Sequence, residues 1–539
     1  MKICQKNSSS VCFLREIFVN IAKNNYFCAA KIRNFFNRHK IFDMIYTKMT
    51  AEEAAALIKD GDTLGFSGFT AAGTPRMVPG ALAKRAEAEH AAGRPFKVNL
   101  YTGATTNDQL DDALANAQAV NHRMPFNGSA PMRKAINAGE VCYTDMHLSM
   151  VGQYVRYGFM GKIDWCIIEA VDITDLGEIT LSGGVGCVDT YAQVADKIII
   201  ELNSAYDYRI RGMHDIYTPL PPPRRDVIPL YKPSDRIGSP ILKVDPKKIV
   251  AVVPCHYRYN VPPFAPVDEV TKQLGKNVAD FLSQEVKMGR VHEGFQPIQS
   301  GVGNIANAVL AALEDAPDIP PFTLYTEVLQ DQGVELIDKG RCTFASTGSL
   351  AVSDAVYDKI MDNIDFYKEH IILRPYELSN HPELVRRLGV ITINTALEVD
   401  ICGNVNSTHV MGTKMMNGVG GSADFARNAY TSIFICPSTA KKGAISAIVP
   451  YVSHVDSSEH SVMVVITEQG VADLRGKSPR QRAEAIIENC AHPDYRPLLR
   501  QYLNLPECQS GHTPMSLDHA FAFHREFVKS GDMHNVKFE

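Results

Sequence analysis

Trp165-Cys166-Ile167-Ile168-Glu169 and Lys197-Ile198-Ile199-Ile200-Glu201-Leu202 are two short, almost unbroken apolar runs. A strand with one wet face alternates apolar and polar residues, whereas a strand covered on both faces reads as a continuous apolar run. Thr63 to Phe66 and Val98 to Thr102 repeat the pattern upstream, and helical patterns separate the runs. Parallel neighbours need long crossovers, usually helical. The alternation therefore predicts an α/β fold built on a parallel sheet covered on both faces.

Working outward, Thr50-Ala51-Glu52-Glu53 has the form of a capping box before an Ala-rich helix, so ordered structure is expected from about residue 50. Thr218 to Pro246 contains eight prolines and is the natural internal boundary. Ile249 to Val253 restarts the strand pattern. From Ile391 strand-like runs follow one another closely: Leu397 to Ile401 and Val405 to Val410 flank Gly403-Asn404 as a hairpin, Ile445 to Val449 and Val462 to Thr467 form a second pair, and Pro479 to Asn489 reads as a closing helix. The chain of 539 residues admits two to four domains. The pattern divides it into a leader (1–48), an N-terminal α/β domain (49–217), a Pro-rich linker (218–246), a second α/β domain (247–520) and a tail (521–539).

Composition limits the function. With 45% hydrophobic and 21% charged residues the chain can bury a sizeable core. The formal charge of −5 is uneven, because residues 1–48 hold nine Lys/Arg against Glu16 and Asp43, a local +7 that leaves −12 for the rest. Nucleic-acid binding rests on clustered cations and is not expected of such a body. Apolar stretches such as Ala444 to Val452 are too short to span a membrane. Twelve scattered Cys without a C-x-x-C pair point away from structural zinc and towards a reducing compartment, the cytoplasm. The basic leader, with a helical pattern over Arg15 to Phe27, also fits a mitochondrial transit peptide; the plainer reading is a start assigned too early, with Met44 or Met49 the first residue.

Chemistry concentrates around two glycine loops and one acid. Gly301-Val302-Gly303-Asn304-Ile305-Ala306 enters an apolar helix, and the strand Thr323 to Thr326 ends at Glu327. Read as G-x-G-x-x-A with a later acid, this is a nicotinamide fingerprint with Glu327 on the ribose, but the preceding Phe295 to Ser300 is polar and proline-containing, a poor strand. The better use of Gly303 and the helix N-terminus is to offer N–H groups to a phosphate or carbonyl. At the C-terminal end of a strand Glu327 can serve as a nucleophile if desolvated beside an acyl group; without other context a lone Glu usually caps a helix or pairs with a lysine. The second loop, Asn417-Gly418-Val419-Gly420-Gly421-Ser422-Ala423-Asp424-Phe425, is either a plain turn or an oxyanion hole.

Six runs together, GVGNIAN (301–307), YTEVLQD (325–331), ELSNHP (377–382), GNVNSTHV (403–410), NGVGGSADF (417–425) and TEQGVADLRG (467–476), resemble the acetyl-CoA hydrolase/transferase family over roughly Thr50 to Leu503, closest to its succinyl-CoA:acetate CoA-transferase branch. The resemblance implies two α/β domains of the CoA-transferase type with the active site in the cleft between them. It implies Glu327 as nucleophile, passing through an acyl-glutamyl anhydride to a glutamyl-CoA thioester, with Asn380 and Gly421 as oxyanion donors and Glu468 close to the nucleophile. Val302, Gly303, Asn304, Ile305, Ala306, Asn417, Gly421 and Lys441 match CoA-binding positions, and the loop Gly65 to Thr70 with Gly73-Thr74-Pro75 the acyl side of the cleft. The implied activity is exchange of CoA between short carboxylates such as succinate, acetate and propionate, with coenzyme A as substrate, no tightly bound cofactor, no metal and a homodimer. A hydrolase, in which water attacks the thioester, uses the same residues. A CoA-binding protein without catalysis is the reading from another class, against which the intact Glu327, Asn380 and Gly421 stand.

Overall fold

Thr50 caps the first helix as its sequence predicts. In the computed structural model, which describes residues 45–104, 108–259, 261, 267–291 and 294–538, the Thr50 hydroxyl accepts the Glu53 N–H and the Glu53 carboxylate accepts the Thr50 N–H. The expected transit helix Arg15 to Phe27 lies outside the described residues.

The apolar runs form the middle of a mixed sheet. Seven of its strands are parallel, in the order Cys142–Tyr143, Val120–Met124, Val98–Tyr101, Thr63–Phe66, Trp165–Ile173, Lys197–Asn203, Ile249–Cys255. Ile167 registers with Ile199, and Ile198, Ile199 and Ile200 are fully buried. Each such side chain contributes roughly 1.5–3 kcal/mol by leaving water. Glu178–Leu181 and Leu242–Lys243 extend the sheet by antiparallel pairing. Two expectations are corrected here. Ile249–Cys255 does not open a second sheet but closes the first, and the Pro-rich stretch supplies the short strand Leu242–Lys243.

A second sheet follows, with parallel strands in the order Ile371–Leu373, Cys342–Thr347, Phe322–Tyr325, Ile298–Ser300, Ile391–Thr395, Thr431–Ile435, Val464–Thr467, and Gly470–Asp473 antiparallel at its edge. Ile298–Ser300 is a genuine central strand despite its polarity. Its fully buried Gln299 exchanges two amide hydrogen bonds of 3.2 Å with Asn394 on the adjacent strand, and Pro297 precedes the strand. The hairpin is present as Glu398–Asp400 against Val405–Asn406. The second expected pair is not: Ile448–Val449 pairs with Glu398–Asp400, and Val464–Thr467 with the strands on either side of it in the large sheet. Pro479–Asn489 is a helix, capped by Ser478.

Both sheets share one plan. In each, the first strand in the chain is central, the next three lie to one side and the following three to the other. The order reverses beside the first strand, and ligands gather at such switch points, outside the carboxyl ends of the strands. In the first sheet the adjoining helix Met77–Ala91 already has an anion at its N-terminus: the buried Glu201 carboxylate accepts the N–H groups of Arg76, Met77 and Val78 at 2.7–3.1 Å. In the second, the helix Asn304–Asp315 starts from Gly303 with no side-chain cap.

The two halves lie in one compact unit, Lys48–Glu539, and are joined by backbone and charge. Leu350 N–H donates to Gly183 O, Val185 N–H to Gly348 O and Tyr376 N–H to Gly186 O. Arg156, on the helix Leu148–Arg156, grips the Glu377 carboxylate with two bonds of 2.7 and 2.8 Å in a dry setting. Gly152 makes room for this, since a Cβ there would stand 2.4 Å from Glu377 Oε2.

Candidate active site

A cavity of about 770 Å³ opens at the switch point of the second sheet. Its floor holds Gly301, Val302, Asn304, Glu327 and the loop Asn417 to Ser422, and Phe69, Thr70, Arg76 and Phe126 face it from the first half.

Glu327 stands just past the strand Phe322–Tyr325, held by its own backbone. Gly348 N–H and the Thr347 hydroxyl donate to Glu327 O, and the preceding Thr326 is fastened to Ser300 O and Ser346 O. Its side chain receives a hydrogen bond of 2.6 Å from Asn380 Nδ2. Asn380 Oδ1 is turned away from Glu327 and accepts from the Ser379 hydroxyl at 2.9 Å. Gly421 closes the third side so tightly that a Cβ there would be 2.1 Å from both Asn380 Nδ2 and Glu327 Oε1. Burial pushes the Glu327 carboxyl up to about 7; the nearby Asp424 adds to the rise and the Asn380 bond opposes it. A carboxylate with little solvation and donors on one side is a competent nucleophile towards an activated acyl group.

The residues singled out from sequence divide into two groups. Glu327, Asn380 and Gly421 converge, Val302, Asn304 and Asn417 line the same cavity, and Phe69, Thr70 and Ala71 of the early loop face it. Gly303 caps the adjacent helix at φ +107°, with its N–H on Gln330, while Ala306 is buried inside that helix and its neighbour Ile305 is half-buried. Glu468 and Lys441 are placed elsewhere. Glu468 is held by the N–H and hydroxyl of Ser438 and by Gln469; burial raises its carboxyl, but these bonds outweigh that and leave it below the ordinary range. Among the described residues no hydrogen bond joins it to Glu327. Lys441 is exposed, with Nζ over the Phe527 ring at 5.0 Å. The strand before Gly301 removes the objection raised to a dinucleotide loop, yet Glu327 turns to Asn380 and Gly421, the surroundings of a reacting group.

Sequence reading missed the acids of the first half and of the glycine loop. Asp145 accepts the Val419 N–H with both oxygens at 3.0 Å, and Asp424 accepts the Ser149 N–H and hydroxyl at 3.0 and 2.6 Å. Both pairs span about 275 residues, so no local pattern announces them.

The position of Glu327 predicts a pH dependence. Attack needs the anion, and with the carboxyl near 7 the rate of acyl transfer should fall roughly tenfold for each unit of pH below that point. A kcat/KM profile flat down to the ordinary glutamate range would show that the side chain is not buried as described.

Comparison with known proteins places these features. The acetyl-CoA hydrolase/transferase N-terminal domain model matches residues 36–254 and the C-terminal domain model residues 357–503. A propanoyl-CoA:succinate CoA transferase of Escherichia coli is 49% identical over 90% of this chain and 99% of its own length. A succinyl-CoA:acetate CoA-transferase of Clostridium kluyveri is 47% identical over 93% of this chain and 92% of its own. Among solved structures, RipA from Yersinia pestis shares the fold, with a TM-score of 0.64 over 84% of this chain and 96% of that one at 24% identity.

Proposed function

Since the chain belongs to the acetyl-CoA hydrolase/transferase family, we propose that it exchanges CoA between short-chain carboxylates, succinyl-CoA and acetate or propionate among them, through a thioester on Glu327. The observation that carries this reading is the desolvated Glu327 at the cavity floor, bonded to Asn380 and pressed against Gly421.

The steps follow from that arrangement. A Glu327 oxygen attacks the thioester carbonyl carbon, the C–S bond breaks and CoA leaves as the thiolate, giving a mixed anhydride. The thiolate then attacks the glutamyl carbonyl carbon of that anhydride; the C–O bond to the acyl group breaks, the acyl carboxylate departs and Glu327 holds CoA as a thioester. An incoming carboxylate reverses both steps on its own acyl group. Each tetrahedral intermediate carries a negative oxygen, for which the Asn380 amide, already on Glu327, and the backbone N–H of the adjoining Gly421 are the donors we assign. One such donor typically supplies 10²–10³ in rate. The helix beginning at Asn304, uncapped and at the cavity, suits the anionic CoA chain. The nine free thiols among the described residues support work in a reducing compartment, the cytoplasm.

The test is a product analysis. With acetyl-CoA or succinyl-CoA as donor, adding a second carboxylate should yield its CoA ester and accelerate turnover with parallel-line, ping-pong kinetics. CoA release at an unchanged rate, with no new ester, would assign water as the acceptor and make the protein a hydrolase.

A further inference from the structure

Asp424 is a buried carboxylate that the scheme above leaves without a task. It sits in the first turn of the helix Ser422–Asn428, three residues after Gly421, and is 5% exposed. Its two oxygens are engaged from the other half of the molecule: Oδ2 accepts the Ser149 N–H and Oδ1 the Ser149 hydroxyl, and the Leu148 N–H adds a third donor. Leu148 and Ser149 open the helix Leu148–Arg156, whose preceding residue, His147, supplies no side-chain cap. Asp424 is thus the missing N-terminal cap of that helix, provided from 275 residues away. On its remaining side it faces the Asn380 amide, whose Nδ2 donates to Glu327.

We propose that Asp424 is a positioning residue for the reaction: anchored on Ser149, it holds the Gly421 loop and the Asn380 amide against Glu327 and stands there as a second buried carboxyl coupled to the nucleophile. This rests on Glu327 being the nucleophile. Two carboxyl groups close together in a dry site cannot ionise independently, so each raises the proton affinity of the other. The other titratable neighbour of Asp424 is His147, with Nδ1 3.7 Å from Oδ1; burial and then Arg427 keep its proton affinity below the ordinary histidine value, so it is neutral where Glu327 titrates. Burial drives the Asp424 carboxyl up to about 7 as well, against the pull of its Ser149 donors, so the two carboxyls titrate in the same range and their coupling acts where Glu327 ionises. Arg156, at the far end of the same helix, ties Glu377 and so the start of the segment carrying Asn380. The helix Leu148–Arg156 therefore fixes Asn380 from both directions.

The experiment follows formation of the Glu327 thioester from acetyl-CoA by rapid quench and mass spectrometry across the neutral range, in the wild type, Asp424→Asn and Ser149→Ala. Asp424→Asn removes the neighbouring charge and sets an amide against an amide. Its limiting rate should fall roughly 10²-fold, while the pH midpoint moves down by about one unit. Ser149→Ala, which deprives Asp424 of a donor and so makes it easier to protonate, should shift the midpoint in the same direction by less. If Asp424→Asn does not fold, as judged by thermal unfolding, Ser149→Ala decides. A slower rate with an unmoved or raised midpoint in the folded variants overturns the proposal, since a merely structural role changes the amplitude and not the titration. Absence of any adduct at Glu327 in the wild type is a different failure, that of the nucleophile assignment.

Discussion

Glu327→Gln should lose roughly 10⁵-fold in turnover and gain stability at the same time. The loss follows from chemistry, because an amide oxygen cannot open a thioester, whereas Gln keeps the size of the side chain and an oxygen for Asn380. The gain follows from burial. The wild-type carboxyl sits near 7 in the fold and near the ordinary glutamate value when unfolded, so between those two pH values the native state binds more protons than the unfolded one. Native stability therefore declines as pH rises through that window, and the full cost of the buried anion is present above about 7. It amounts to about 2–4 kcal/mol. For a chain of this size that is a few degrees in Tm. The check is a pair of thermal unfolding series in acid and in mild base: the variant should match the wild type in acid and exceed it in base. Equal Tm values throughout, or residual turnover within tenfold of the wild type, would refute the role given to Glu327.

Gly421→Ala is the second large effect, and its origin is space alone. The φ of −93° at Gly421 is one any residue adopts, so no backbone strain arises. The added methyl, however, would fall 2.1 Å from both Glu327 Oε1 and Asn380 Nδ2, and neither can retreat. Asn380 is pinned by Ser379, and the Glu327 backbone is pinned by Gly348 and Thr347. Nucleophile and donor must part or the loop must lift away from them. Loss of at least 10³ in kcat is expected, more than one oxyanion donor supplies, with a folded protein that still binds CoA by equilibrium dialysis. A Gly421→Ala enzyme with near-normal kcat would mean that the loop does not close on Glu327. Gly303 is the instructive contrast: nothing lies within 4 Å of a Cβ there, and what glycine provides is the φ of +107° that lets the chain turn into the helix.

What sequence reading captured was local. The Thr50 capping box, the Pro479–Asn489 helix and the continuous apolar strands each depend on neighbours a few residues away, and each is present. What it missed was stabilised from afar. Ile298–Ser300 looks too polar for a central strand until Gln299 finds the Asn394 amide 95 residues on. Ile249–Cys255 follows so many prolines that it seems to begin a new domain, yet its partner is Lys197–Asn203. The same holds at the site. Glu327, Asn380 and Gly421 came from motifs; Asp145 and Ser149 have none, and Asp424, although it lies in the second glycine loop, acts across the two halves on a partner that the loop does not announce. Glu468 shows the converse: a motif position is no guarantee of contact, and its carboxylate belongs to Ser438.

The acid at the start of the helix Met77–Ala91 bears on the whole design. Both halves fold to the same strand order, and each therefore acquires a crevice suited to an anion beside the helix that follows its first strand. In the first half that crevice is filled by Glu201, a guest carried on the host's own chain, which is present at unit occupancy at every concentration and never leaves. In the second half the equivalent helix, Asn304–Asp315, opens at the cavity with no side-chain cap. One architecture thus appears twice, once with its anion tethered and once, on the function proposed, with its anion exchangeable, and turnover would then belong only to the copy whose guest can depart.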